Sequence, residues 1–185
     1  MRIPRVIIGA AIACVAIVAA PATGGVTARP DACKLLKAAV HGHTWEHRVR
    51  VDPGHDRMHC SYSDGKPPAE NQWLITLDVT PYPPFKPSVA QAREAWQKIF
   101  AAVRAAKGNG GTPVRLRGFG ADDAFGVEST NETARSGPSS TAAVQWRKGF
   151  YLGEIHFTAP LSSHHGDLDD VEDLLRDVMR GMPRS

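Results

Sequence analysis

The chain has 185 residues, 42% of them hydrophobic and 22% charged, with a formal charge of +3. That is enough for one globular domain of roughly 150 residues with a sizeable core, and it excludes a miniprotein held by staples alone. It also argues against a phosphate-backbone binder and so against a nucleic-acid partner. Arg2 and Arg5 precede the first acid, Asp31, so loss of the N-terminus lowers the charge to +1, and Lys/Arg nowhere form a long run.

Met1 to Arg5 carries two arginines and Val6 to Ala20 is continuously apolar, the layout of an export signal. Small-residue cleavage sites follow at Ala20-Pro21-Ala22 and at Val26-Thr27-Ala28. The second is preferred, giving a signal peptide over 1–28 and a single exported α+β domain over 29–185. Two alternatives stay open. Ala11-Ile12-Ala13-Cys14 resembles a lipobox, which would lipidate Cys14. The segment could instead be kept as an anchor, although it is shorter than the roughly 20 residues of a span. The expected location is secreted or envelope-associated, touching a membrane only through this segment.

Export simplifies the cysteine arithmetic. Cys14 leaves with the signal, and Cys33 and Cys60 remain as an even pair in an oxidising compartment, predicting a disulfide. Asp31 is a good N-cap for a short helix through Val40, with Gly42 to end it. Thr44 to Val51 alternates Trp45, His47, Val49 and Val51 against Glu46, Arg48 and Arg50, which predicts a strand. Asp52 to Asp56 is a turn, and Arg57 to Ser63 returns as a second strand carrying Cys60. The bridge would therefore pin the first helix to a hairpin strand.

Trp73, Ile75, Leu77 and Val79 mark the clearest strand, followed by a stiff connector, Pro81 to Pro87. Ser88, with Gln91 in a capping box, opens the longest helix. Its stripe of Val89, Ala92, Trp96, Ile99, Phe100 and Val103 predicts core contacts rather than a groove. Val114 to Arg117 is a short strand, Gly118 to Ala124 a glycine-rich bend, Phe125 to Glu128 a strand and Ser129 to Ser140 a polar loop. Thr141 to Arg147 and Tyr151 to Thr158 form a hairpin, and Asp167 caps a final helix. The order α-βββ-α-ββββ-α implies an antiparallel sheet with helices packed on it, an α+β domain.

Candidate sites are few. His41, His43, His47, His55 and His59 crowd one region and could chelate zinc, but no zinc signature accompanies them, so solvated loop histidines are the better reading. Gly118-Phe119-Gly120-Ala121-Asp122-Asp123 leads into a strand, which fits a turn rather than a phosphate or calcium loop. Ser139, Ser140, Ser162 and Ser163 near His164, His165 and Asp167 have no nucleophile elbow, so a secreted hydrolase ranks last and no catalytic residues are assigned. Asn131-Glu132-Thr133 is a glycosylation sequon.

Asp31-Ala32-Cys33-Lys34-Leu35-Leu36, Cys60-Ser61-Tyr62 and Gly118-Phe119-Gly120-Ala121-Asp122-Asp123-Ala124 together resemble a family of small exported actinobacterial proteins. That family is a domain of unknown function, often a lipoprotein, with Asp-Pro-Cys, Cys-Ser-Trp and Gly-x-Gly-Asp-x-Ala in these places. Here Ala32 replaces the proline, Tyr62 the tryptophan, and the glycine turn has one extra residue before its acid. The chain is more distantly similar to the extracellular sensor domain of mycobacterial receptor Ser/Thr kinases. The resemblance implies a disulfide-stapled α+β envelope domain and no activity. The function expected is a non-enzymatic one, binding an envelope ligand or partner, with no cofactor beyond the zinc alternative.

Overall fold

The computed structural model describes residues 30–46, 49–51, 58–63, 73–105, 112–131 and 138–183. The signal segment with Cys14, and His47 and His55 of the histidine group, lie outside the described residues. Among the described residues three α-helices, α1 (Ala32–Val40), α2 (Val89–Ala105) and α3 (Leu168–Gly181), flank seven strands. These are β1 (Arg50–Val51), β2 (His59–Ser63), β3 (Leu74–Pro81), β4 (Val114–Leu116), β5 (Asp123–Asn131), β6 (Ser139–Lys148) and β7 (Tyr151–Pro160). They form one antiparallel sheet in the order β1-β2-β3-β7-β6-β5-β4, so the last strand in the chain sits at the centre. The α+β architecture and the element order agree with the sequence reading.

Strand alternation decides the layers. Ile75, Leu77 and Val79 of β3 and Ile155 and Phe157 of β7 are fully buried, on the face covered by α1 and α3. Leu35, Leu36, Ala39 and Val40 of α1, and Val171, Leu174, Leu175 and Val178 of α3, complete this main core. On the opposite face α2 lays Trp96 and Phe100 against Phe125 in a smaller aromatic cluster. The predicted caps are in place: Asp31 accepts from the Lys34 N–H (3.1 Å), Ser88 Oγ from the Gln91 N–H (3.5 Å) and Asp167 from the Asp170 N–H (3.0 Å).

Cys33 of α1 is disulfide-bonded to Cys60 of β2, with their Cα atoms 4.9 Å apart. The bridge ties the first helix to the sheet, as expected. A second tie joins the glycine-rich bend to the β6–β7 turn. Gly118 and Gly120 both take φ of +86°, which only glycine adopts without strain. The bend delivers Asp122 and Asp123 to the buried Arg147 guanidinium at 2.9 and 2.7 Å, and Asp122 also accepts the Gly149 N–H (2.7 Å).

Three elements differ from the sequence reading. Of the strand expected over 44–51, Arg50–Val51 is extended, and residues 47 and 48 lie outside the described residues. Residues 44–46 turn instead, because the Gly42 N–H donates to the Glu46 carboxylate (3.0 Å) and the Glu46 N–H to the His43 carbonyl (3.0 Å). Trp45 and Val49 are still buried, so their spacing reflects a core contact and not a pleat. The polar loop expected over 129–140 is strand at both ends, with Ser129, Thr130 and Asn131 paired to Thr141, Ser140 and Ser139. Finally, the α2 stripe is only half core: Ala92, Trp96 and Phe100 are buried, whereas Val89 is 50% and Ile99 36% exposed.

Two stability outcomes follow. Replacing Cys33 and Cys60 together by alanine opens a 27-residue separation and should cost about 3–4 kcal/mol in urea denaturation. Gly153→Ala should cost about 1–3 kcal/mol, because its Cβ would overlap the ring of Trp146 on the neighbouring strand. A variant as stable as the parent would contradict that packing.

Candidate functional site

The face of the sheet under α2 is polar where the other face is apolar. Direct antiparallel partners share a face, so the register lines up His59, Asp78, Glu154, Gln145 and Phe125 in one row across β2, β3, β7, β6 and β5. The adjoining row carries Thr76 and His156. Helix α2 covers the Phe125 end of the first row and leaves the His59 end half exposed.

Between α2 and this row lies a cavity of about 190 Å³, walled by Asp78, Trp96, Ile99, Gln145, Leu152 and Glu154. A neighbouring groove of about 400 Å³ shares Ile99 and Leu152 and runs along α2 past Ala95 to Tyr82 and Pro83. Small-molecule sites typically occupy roughly 300–1,000 Å³ with a few placed polar groups.

The polar groups are arranged unevenly. Glu154 Oε1 accepts from Gln145 Nε2 (2.9 Å) and forms an ion pair with His156 Nε2 (2.8 Å), and its Oε2 accepts from none of the described residues. Asp78 Oδ1 lies 2.8 Å from His59 Nδ1. Trp96 is 4% exposed, and its buried indole N–H has no hydrogen-bond partner among the described residues. The same holds for the buried Gln145 Oε1. Such an unpaired buried group costs about 1–3 kcal/mol, and this cavity is lined by the residues of two orphan donors, the Trp96 and Trp146 indoles, and one orphan acceptor, Gln145 Oε1, among the described residues.

The imidazole of His156 holds the Glu154 carboxyl below its ordinary value, against the opposing effect of burial. Glu154 in turn raises His156, with Asp78 adding a smaller push in the same direction. Glu154 therefore stabilises the fold above pH 4.5, and this is lost as pH falls through its lowered value. The His156 contribution is full below pH 6.5 and is lost as pH rises through its raised value. The pair thus stabilises the fold most between pH 4.5 and 6.5.

The histidine group read from sequence takes separate partners. His41 pairs with Glu46 (3.3 Å), His43 stacks on Trp45 (4.7 Å between centroids), and His59 faces Asp78. Among the described residues no three His, Cys, Asp or Glu side chains are placed to hold one metal ion. The serine–histidine segment before α3 is tied to backbone and acid: Ser163 Oγ donates to the Pro160 carbonyl, Ser140 Oγ to the Gly166 carbonyl, and His165 contacts Asp170.

Asp78, Gln145, Glu154, His156 and the cavity side of Trp96 were not singled out by the sequence. Their proximity comes from strand register alone. Trp96 and Ile99 carried a helical-period signal, but a period does not separate a core face from a cleft wall. Among the described residues no helix is long and apolar enough to cross a membrane. No protein-family model matches the chain, and no curated protein matches it. Fold and site therefore define a class only, a disulfide-stapled α+β domain with a polar cleft under one helix.

Glu154→Gln should lower the titration midpoint of His156, followed by NMR of its imidazole protons, because the acceptor that favours its charged form is gone. An unmoved midpoint would show that the pair does not form in solution.

Proposed function

We propose that this is an exported, non-enzymatic envelope domain that binds a small ligand in the cleft between α2 and the sheet. The observation that carries the reading is an open cavity lined by Trp96, Gln145 and Trp146, each with a buried polar atom that has no partner among the described residues. The basic, apolar N-terminus and the Cys33–Cys60 disulfide support export to an oxidising compartment. The resemblance to the exported actinobacterial family supports the same location.

Ile99 tests the cleft with little disturbance to the core. It walls both the cavity and the groove yet is 36% exposed, so Ile99→Trp should fill the cleft and leave stability within about 0.5 kcal/mol of the parent. In a fragment screen by ligand-observed NMR on the oxidised chain, cleft binders should lose their signal change with this variant. Fragments that bind both proteins equally would place binding elsewhere and overturn the reading.

A further inference from the structure

We infer that the cleft selects an organic ammonium ion carrying an apolar chain, with the ammonium group beside Asp78 and Glu154 and the chain along Ile99 and Leu152. This rests on the cleft reading above and adds the chemical class of the ligand.

The acceptors outnumber the donors at the cavity end. Asp78 and Glu154 are directly paired across β3 and β7, and both wall the cavity. Glu154 Oε2 takes no hydrogen bond from the described residues, and the Asp78 and Glu154 side chains are 48% and 33% exposed, open to a ligand. An ammonium group has three N–H donors and no acceptor, which matches this set. A carboxylate or phosphate head would instead meet two acids and an amide oxygen. The groove end is different in kind: Ile99, Leu152, Ala95 and Pro83 offer apolar surface, beside the Glu94–Lys98 ion pair at 2.7 Å. One polar end and one apolar end describe an amphiphilic cation.

The charges facing the cavity fix the pH dependence. They are His59 on β2, Asp78 on β3, Glu154 and His156 on β7, and Glu94 and Lys98 on α2. Arg115 of β4 lies over the far ring cluster, 5.9 Å from the Trp96 centroid, and Arg147 is engaged by Asp122 and Asp123. When protonated, His156 occupies Glu154 in the role that the ligand cation would take. Losing that proton removes a positive charge beside the carboxylate and leaves its negative charge uncompensated, so an organic cation binds more tightly as pH rises past the His156 transition.

The test is calorimetric titration of the oxidised full chain with three probes sharing one chain: octylammonium, 1-octanol and octanoate, each below its aggregation limit. Octylammonium should bind at one site about tenfold or more tighter than octanol, the scale of a hydrogen bond to a charged group, and octanoate should be weakest. Its affinity should rise from about pH 6 to about pH 9, where the amine, with a pKa of about 10, stays charged. Asp78→Asn with Glu154→Gln should reduce the octylammonium preference over octanol to less than about threefold while octanol still binds. Retained octanol binding also shows that this double variant is folded. Octanol or octanoate binding as tightly as octylammonium, with loss on Ile99→Trp, would overturn the charge selection and leave the cleft reading intact. Absence of binding by all three probes, together with a fragment screen insensitive to Ile99→Trp, would remove both.

Discussion

The strict alternation of side chains along β3, β7 and β6 is the constraint on which the rest of the molecule depends. One set, Ile75, Leu77, Val79, Ile155 and Phe157, is fully buried under α1 and α3. A one-residue slip of any of these strands would turn that set to the other face, so the register is tightly specified. The same register places the intervening residues in rows on the opposite face. Asp78 meets Glu154, and Glu154 meets Gln145, as a consequence of packing that takes place on the far side of the sheet. The disulfide reinforces this arrangement from the edge, since Cys60 pairs with Leu77 across β2 and β3 while bonded to α1.

The two faces are roofed unequally, and the cleft is the result. Among the described residues α1 and α3 cover one face, whereas α2 is the one helix packed on the other. It anchors through Trp96 and Phe100 on Phe125, at the β5 side, with Arg115 stacked 4.5 Å from the Phe100 centroid. Ile99, one residue before Phe100, is carried round the helix toward Leu152 and remains partly exposed. Gly153 contributes from below. The ring of Trp146 occupies the place a side chain would take there, so the main core is filled under the cavity floor. The site therefore sits on a rigid, well-packed base. Its own polar atoms carry the energetic cost of unmade hydrogen bonds, a pattern common where a ligand completes a site.

Much of the scaffold was legible from the chain because it obeys local rules. The alternation from Trp73 to Val79, the Asp31 and Asp167 caps and the glycines of the 118–120 bend each state their structure directly. The alternation starting at Trp45 misled because residues 44–46 turn onto the core, although Arg50 and Val51 do pair with β2 as a strand. The polar residues Ser129 to Asn131 read as loop, although their strand state comes from pairing with β6, information that lies ten or so residues away. The cleft was the least legible part. Its residues come from β3, α2, β6 and β7, and nothing short of the sheet register brings Asp78 to Glu154. The histidines, conspicuous together in sequence, diverge because a turn, a ring stack and a strand send His41, His43 and His59 to different partners.

The central claim is that the cleft under α2 is a ligand site, and the indole N–H of Trp96 reports on it most directly. A ¹H–¹⁵N NMR titration of the oxidised chain with octylammonium would follow that resonance beside the other tryptophan indoles. The account predicts a saturable shift at Trp96, with Leu152 and Glu154 amides moving in step and the Trp45 and Trp73 indoles of the opposite core unmoved. A Trp96 indole that stays in place while other sites respond, or that shifts without saturation, would contradict it.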